Sequence, residues 1–225
     1  MSIMKNIPTL DLRTMTSADA LREIEEISNI GIIILPENGD PEVLNAFHSI
    51  PKKNIGHTLT LPNGADVQQM TGNVSLTAAI LKSKNTLIIT GNAVVEEVIE
   101  ECNASIIMTG NLIYPKRCPL NIHSSTGNAK SYDYEHYVGV DDDFELDADT
   151  LDMLEYKTLL DIDGDLRIAK DITLEMLKEK MPYFLVDGDV HCRREVASFL
   201  KLRSEIDGDL KIRGARYEDD EDDDE

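Results

Sequence analysis

The chain has 225 residues, with 43 acidic side chains against 22 basic ones and a formal net charge of -21. That balance repels nucleic acid and anionic membrane surfaces, and it favours cations or basic proteins as partners. Hydrophobic residues reach 41% but aromatics only 5%, and Trp is absent. The core must therefore be Ile, Leu, Val and Met, a composition that suits stacked repeats better than a pocket-rich enzyme.

The opening stretch "MSIMKNIPTLDLR" holds no apolar run of a secretory leader's length, and no stretch approaches ~20 apolar residues. Cys102, Cys118 and Cys192 are odd in number and form no CxxC pair, which argues against a disulfide framework. A reducing, cytoplasmic setting is the expectation.

In chain order, "TSADALREIEEI" reads as a helix with Thr16 or Ser17 as N-cap and Leu21, Ile24 and Ile27 on one face. "NIGIIIL" and "NIGHTLTL" read as strands. "DPEVLNAFHSI" between them reads as a helix with Pro41 in its first turn. Residues 1–68 are expected to form early, wider coils whose first helix caps the open end.

From there a phrase recurs. "MTGNVSL", "ITGNAVV" and "MTGNLIY" centre on Gly72, Gly91 and Gly110, each 19 residues apart. "IDGDLRI", "VDGDVHC" and "IDGDLKI" centre on Gly164, Gly188 and Gly208, and "VDDDFEL" places Asp142 in the glycine position one step earlier. Periods near twenty mark solenoids. Alternating apolar residues after the glycine, such as Leu166 and Ile168, make each copy a strand. Val95, Val98, Ile99 and Cys102 fall on one helical face, as do Leu174, Leu177 and Met181, and Val196, Phe199 and Leu200. Each coil is thus a strand plus a short helix that buries its apolar face only by stacking. The expected fold class is an α/β solenoid, a right-handed parallel β-helix with short helices in its coils. It is read as one domain over residues 1–214, with regular coils at 69–114 and 140–214 and an irregular insert at 115–139. The acidic run "EDDEDDDE" at residues 218–225 lies in a segment, 215–225, expected to be disordered.

The repeated letters carry chemistry. Stacked coils place equivalent residues about 4.8 Å apart. The columns Thr71, Thr90, Thr109 and Asn73, Asn92, Asn111 give way to Asp141, Asp163, Asp187, Asp207 and Asp143, Asp165, Asp189, Asp209. Stacked carboxylates must be solvated, protonated or bridged by cations. Asp163, Asp165, Asp187, Asp189, Asp207 and Asp209 are therefore the candidate ligands, with Ca2+ the candidate ion. The competing reading is ordinary Asp-Gly turn chemistry, with each carboxylate accepting a backbone bond.

"IIMTGNLIY" and "LLDIDGDLRI" resemble the strand-and-corner unit of receptor L domains, the leucine-rich-repeat-like coils of growth-factor receptor ectodomains. The resemblance covers residues 70–114 and 140–213 and implies a right-handed β-helix with short helices on one side. Receptor L domains are secreted and disulfide-bonded, marks this sequence lacks, so no ligand-binding role carries over to any residue. A weaker resemblance is to bactofilins, whose Gly-Asp-rich β-helices polymerise end to end.

Other motifs exclude more than they assign. His48, His57, His123, His136 and His191 are scattered, without zinc-ligand spacing. No P-loop, GxGxxG or Gly-x-Ser-x-Gly occurs. Asp141–Asp143 are similar to the paired carboxylates of β-helical glycosidases. Cys102 reads as a core residue. In "SYDYEHYVG", Tyr132, Tyr134 and Tyr137 crowd around His136, a composition suited to protein recognition; the alternative is that the rings pack the loop onto the solenoid. The leading expectation is a non-enzymatic module for protein binding or scaffolding, with a basic protein as partner and neither nucleic acid nor membrane. An end-to-end self-assembling protein, hence a homo-oligomer, comes second. An enzyme using the Asp column comes third.

Overall fold

The structure, a computed structural model, describes residues 2–125 and 127–213. It divides into two compact units, Met1–Asp66 and Val67–Glu225. Every strand pairing within the sheets of both units is parallel, and most strands are short, an arrangement compatible with a β-rich parallel solenoid. The acidic run at residues 218–225 lies outside the described residues. No described helix is long and apolar enough to cross a membrane.

The first unit contains β1 (Ser2–Asp11), α1 (Asp19–Arg22), β2 (Ile24–Pro36), α2 (Pro41–Ser49) and β3 (Lys52–Leu61), with sheet order β1-β2-β3. The pairing Ile7↔Ile30↔Ile55 sets its coils wider than the nineteen-residue step that follows. Asn6, Asn29 and Asn54 all adopt left-handed φ (59°, 54° and 51°), which asparagine tolerates better than most residues. Their carboxamides form a ladder, with Nδ2 of Asn29 donating to Oδ1 of Asn6 at 3.0 Å and Nδ2 of Asn54 to Oδ1 of Asn29 at 2.9 Å. Helix α2 starts at Pro41 as expected, and Asp40 accepts the N–H of Glu42 at 2.7 Å. Helix α1 is one turn instead of three: Ile24 and Ile27 lie in β2, where β-branched side chains pack well on a pleated surface.

The second unit holds two stacks. The first runs through β4 (Val67–Thr71), β5 (Val74–Ser75), α3 (Ala78–Leu81), β6 (Thr86–Thr90), β7 (Ala93–Val94), β8 (Ser105–Thr109), β9 (Leu112–Pro115), β10 (Asn121–Ser125) and β11 (Ala129–Tyr132). Its sheets are β10-β8-β6-β4 and β11-β9-β7-β5, meeting at the Gly-Asn corner. Gly91 has φ of 120°, and a Cβ there would sit 2.5 Å from the carbonyl oxygen of Gly72. Both the dihedral and the close stacking require glycine. Leu87, Ile89, Ile106, Met108 and Leu112 fill the interior.

The second stack runs through β12 (His136–Val140), β13 (Phe144–Leu146), α4 (Ala148–Met153), β14 (Thr158–Ile162), β15 (Leu166–Ile168), α5 (Leu174–Lys180), β16 (Tyr183–Val186), β17 (Val190–Arg193), α6 (Arg194–Arg203), β18 (Ser204–Ile206) and β19 (Leu210–Arg213). Its sheets are β12-β14-β16-β18 and β13-β15-β17-β19. Asp147 and Thr173 cap α4 and α5 by accepting the N–H groups of Thr150 and Met176. Leu151, Leu177, Val196 and Leu200 turn the helices' apolar faces inward.

Two expectations change here. Residues 95–102 form no helix. The run is rich in β-branched residues, which disfavours a helix there. Val95 and Ile99 are buried all the same, while Cys102 is half-buried. The regular coils at 69–114 and 140–214 also do not form one column, because none of their sheets joins the other set. Residues 115–132 complete the first stack's last coil, and residues 133–136 then cross back over its rungs. Tyr132 pairs with Pro115 on the last rung, the Tyr134 hydroxyl donates to the carbonyl of Val95 near the second, and His136 bridges to Glu97 while opening the second stack. Four residue steps of up to about 3.4 Å reach easily across the two rung spacings, of about 4.8 Å each, between the last rung and the second.

Candidate functional site: the cleft between the two stacks

Strand alternation decides what the second stack presents to the first. On β14, Leu160 and Ile162 point into their own core, so Leu159 and Asp161 face the other stack. The register builds columns from this. Tyr137, Leu159 and Tyr183 form one, and Gly139, Asp161, Leu185 and Glu205 form the next. Asp141, Asp163, Asp187 and Asp207 form the third, beyond the strand ends. The seam is thus apolar at one edge and acidic at the other.

At the apolar edge Tyr132, Tyr134, Leu159 and Leu185 form a buried cluster. The Tyr132 hydroxyl donates to Glu205 at 2.9 Å, and its ring lies 5.1 Å from that of Tyr183. The Tyr134 hydroxyl reaches the Val95 carbonyl at 2.5 Å, and the Tyr137 hydroxyl reaches Asp161 at 2.8 Å. Burial pushes all three phenols above their ordinary range, helped at Tyr132 by Glu205 and at Tyr137 by Asp161. The segment is clamped by Asp133, whose carboxylate takes the mostly buried Lys157 ammonium at 2.8 Å and lies 3.8 Å from Arg203. The Lys157 bond holds Asp133 below the usual carboxylate range. The tyrosine set expected to meet a partner therefore packs the two stacks together. Tyr132 and Tyr134 are buried, while His136 and Tyr137 are half-buried, with His136 3.1 Å from Glu155.

At the acidic edge lie two adjoining cavities of about 320 and 250 Å³ that share Asn111, Ile113, Asp161 and Asp187. One wall carries Asn73, Asn92 and Asn111; the other carries Asp141, Asp161, Asp163, Asp187 and Asp207. Among the described residues, none of these five carboxylates is ion-paired. Burial, and secondarily the charge of Asp163, raises Asp161 above the ordinary value despite the Tyr137 hydrogen bond. Burial and the charges of Asp163, Asp207 and Asp161 likewise raise Asp187. A bound cation would relieve both. A third cavity, about 420 Å³, lies by Glu96, Glu97, His136 and Glu155.

The six candidate ligands separate into two roles. Asp163, Asp187 and Asp207 face the cleft. Asp165, Asp189 and Asp209 belong to a ladder on the other column, where Oδ1 of Asp143 accepts the N–H of Asp165, Asp165 that of Asp189, and Asp189 that of Asp209, each at 2.8 Å. Asp165 and Asp189 also come together with His191, one ligand atom from each lying within 4.8 Å of the others. An imidazole with two carboxylates suits a transition metal better than Ca2+. Lys211 already pairs with Asp189 and holds its carboxyl low.

Sequence reasoning missed Asp161, the residue immediately before the repeated phrase, although strand alternation puts it on the same face as Asp163. It also missed the Asn6, Asn29 and Asn54 column, visible as three Asn-Ile pairs. Comparison with protein-family models, curated proteins and solved structures found no match to this chain.

Proposed function

We propose that the protein is a non-enzymatic binding module, a right-handed leucine-rich-repeat-like solenoid, that takes a basic segment of a protein partner into the cleft between its two stacks. The observation that carries this reading is the file of unpaired carboxylates at Asp141, Asp161, Asp163, Asp187 and Asp207 opposite the asparagine ladder. The carboxylates attract cationic side chains, and the carboxamides offer neutral hydrogen bonding to the peptide between them. The raised Asp161 and Asp187 give binding a source of free energy, since a lysine or arginine placed among them removes their mutual repulsion.

The test is titration calorimetry with a Lys/Arg-rich peptide and an acidic control at two salt concentrations. Selective, salt-sensitive binding that falls about tenfold or more in an Asp163→Asn/Asp187→Asn variant of unchanged melting behaviour supports the reading. Equal affinity of that variant and the parent protein refutes it.

A further inference from the structure

Each stack has a first rung and a last rung, and the sequence treats them differently. In interior rungs the corner residue must be glycine because the preceding coil crowds it. A Cβ on Gly31 would sit 2.6 Å from the Pro8 carbonyl oxygen, and one on Gly164 would sit 2.7 Å from the Asp143 backbone nitrogen. Two of the three first rungs have no glycine there, while the first stack keeps Gly72, which is uncrowded but has φ of 87°. Pro8 stands in the glycine register of the first unit, and Asp142 stands in that of the second stack. Asp142 also does what a preceding coil would do: its Oδ1 accepts the N–H of Asp143 at 2.8 Å, the bond that Asp143, Asp165 and Asp189 supply to each following coil. The Asp143 N–H of that leading rung is thus satisfied within the rung itself.

The last rung, β18 and β19, is built the opposite way. Both strands end their sheets, with no described strand beyond them. Ile206 and Leu210 are half-buried where Val186 and Val190 one rung earlier are buried, and Ile212 is half-buried above the buried Cys192. Leu166 and Val190 send their N–H groups to the carbonyls of Asp189 and Asp209 on the following coil, so Leu210 in the same register aims its N–H beyond the fold. Asp209 likewise carries the carboxylate that every earlier rung uses to accept the next coil's N–H. Gly208 keeps the corner open.

We propose that this trailing edge docks an extended segment of a protein partner as one more parallel rung. The interior rungs specify its chemistry. It needs a glycine over Gly208, because a side chain there would strike the Gly208 carbonyl, just as a Cβ on Gly208 would meet that of Gly188 at 2.5 Å. It needs an N–H after that glycine for Asp209, and alternating apolar residues to cover Ile206, Leu210 and Ile212. A cationic side chain after the glycine complements Asp207 and Asp209, whereas a second acidic rung would add repulsion to a chain of charge -21. This is strand addition at a sheet edge, with main-chain bonds giving affinity and alternate side chains giving specificity. It shares Asp207 with the cleft, but it rests on the free strand edge and on Asp209, which the cleft does not use.

The probe is a labelled peptide, Ser-Lys-Ile-Asn-Gly-Lys-Leu-Lys-Ile-Arg, titrated against the full chain by fluorescence anisotropy, with a control carrying Val in place of its Gly. The expected result is saturable binding, weakened about tenfold by the Val control and about tenfold by Asp209→Ala, but by no more than about twofold by Asp209→Asn, which keeps the acceptor oxygen. Asp163→Asn/Asp187→Asn should leave this binding unchanged, which separates it from the cleft reading. Equal binding of the Val control, or equal losses in Asp209→Ala and Asp209→Asn, would reduce the contact to charge attraction and overturn the proposal. So would a concentration-dependent dimer, seen by sedimentation, that Asp209→Ala dissolves, since a second copy would then be the occupant.

Discussion

The two stacks of the second unit solve one problem with different atoms. Both must join equivalent corners of successive coils. The first uses asparagine, whose carboxamide donates and accepts, so Asn92 reaches Asn73 at 3.4 Å and Asn111 reaches Asn92 at 3.2 Å. The second uses aspartate, which has no donor. Its carboxylate turns to the backbone and accepts the N–H one coil onward, at 2.8 Å on every rung. A neutral ladder binds side chain to side chain, and a charged ladder binds side chain to main chain. The acidic corner is thus joined by backbone bonds to Asp143, Asp165 and Asp189, which favours the turn-chemistry reading of those three. Among the described residues, no backbone N–H is donated to the carboxylates of Asp163, Asp187 or Asp207, which line the cleft.

The largest break in this comparison should come from the corner glycines. Gly188→Ala would drive a methyl group into Asp165 and the Gly164 backbone, and should cost about 3 kcal/mol in urea denaturation. Gly64→Ala, where a Cβ meets nothing within 4 Å, should cost well under 1 kcal/mol. Equal costs would mean that crowding does not explain the repeat. Next in size is the seam. Asp133→Ala strands the Lys157 ammonium, and should cost about 2 kcal/mol, less than a fully buried pair because Asp133 is 45% exposed. Tyr134→Phe, which leaves the Val95 carbonyl without its hydroxyl, should cost about 1 kcal/mol by the same measurement.

The seam also shows what the sequence could express. The rungs were legible because their constraint is local: a glycine, its polar neighbour and the alternating residues after it recur in every coil. Helices α2, α5 and α6 were legible for the same reason. The break between stacks was not, since a chain that turns back after Tyr132 differs from one that continues only in a few long-range contacts, such as Tyr132 to Glu205. Tyr132, Tyr134 and Tyr137 left a recognition loop and a loop packed on the solenoid both open, because nothing nearby in sequence showed what could cover them. The second stack covers them, with Leu159, Tyr183 and Leu185. Asp161 was overlooked because it lies outside the repeated phrase, although alternation alone places it beside Asp163.

The smallest effect is the sharpest test, because the two aspartate files should respond to pH with opposite signs. Asp161 and Asp187 are raised above 3.8, so the folded chain binds their protons more tightly than the unfolded chain does. They favour the fold at low pH and oppose it as pH rises through their raised values. Asp161→Asn should therefore stabilise by about 0.5 kcal/mol at pH 7. That gain should vanish as pH falls toward 3.8, the ordinary value. Asp189 is held below 3.8 by Lys211 and by the N–H of Asp209, so its contribution is present above that value and is lost as pH falls through its lowered one. Asp189→Ala should thus destabilise at pH 7, and its deficit should persist at pH 4, where the gain from Asp161→Asn has faded. Melting curves of both variants from pH 3 to 7 would show the two differences closing in separate windows. If both closed together, the ladder and the cleft would not be the distinct electrostatic environments that their hydrogen bonds make them.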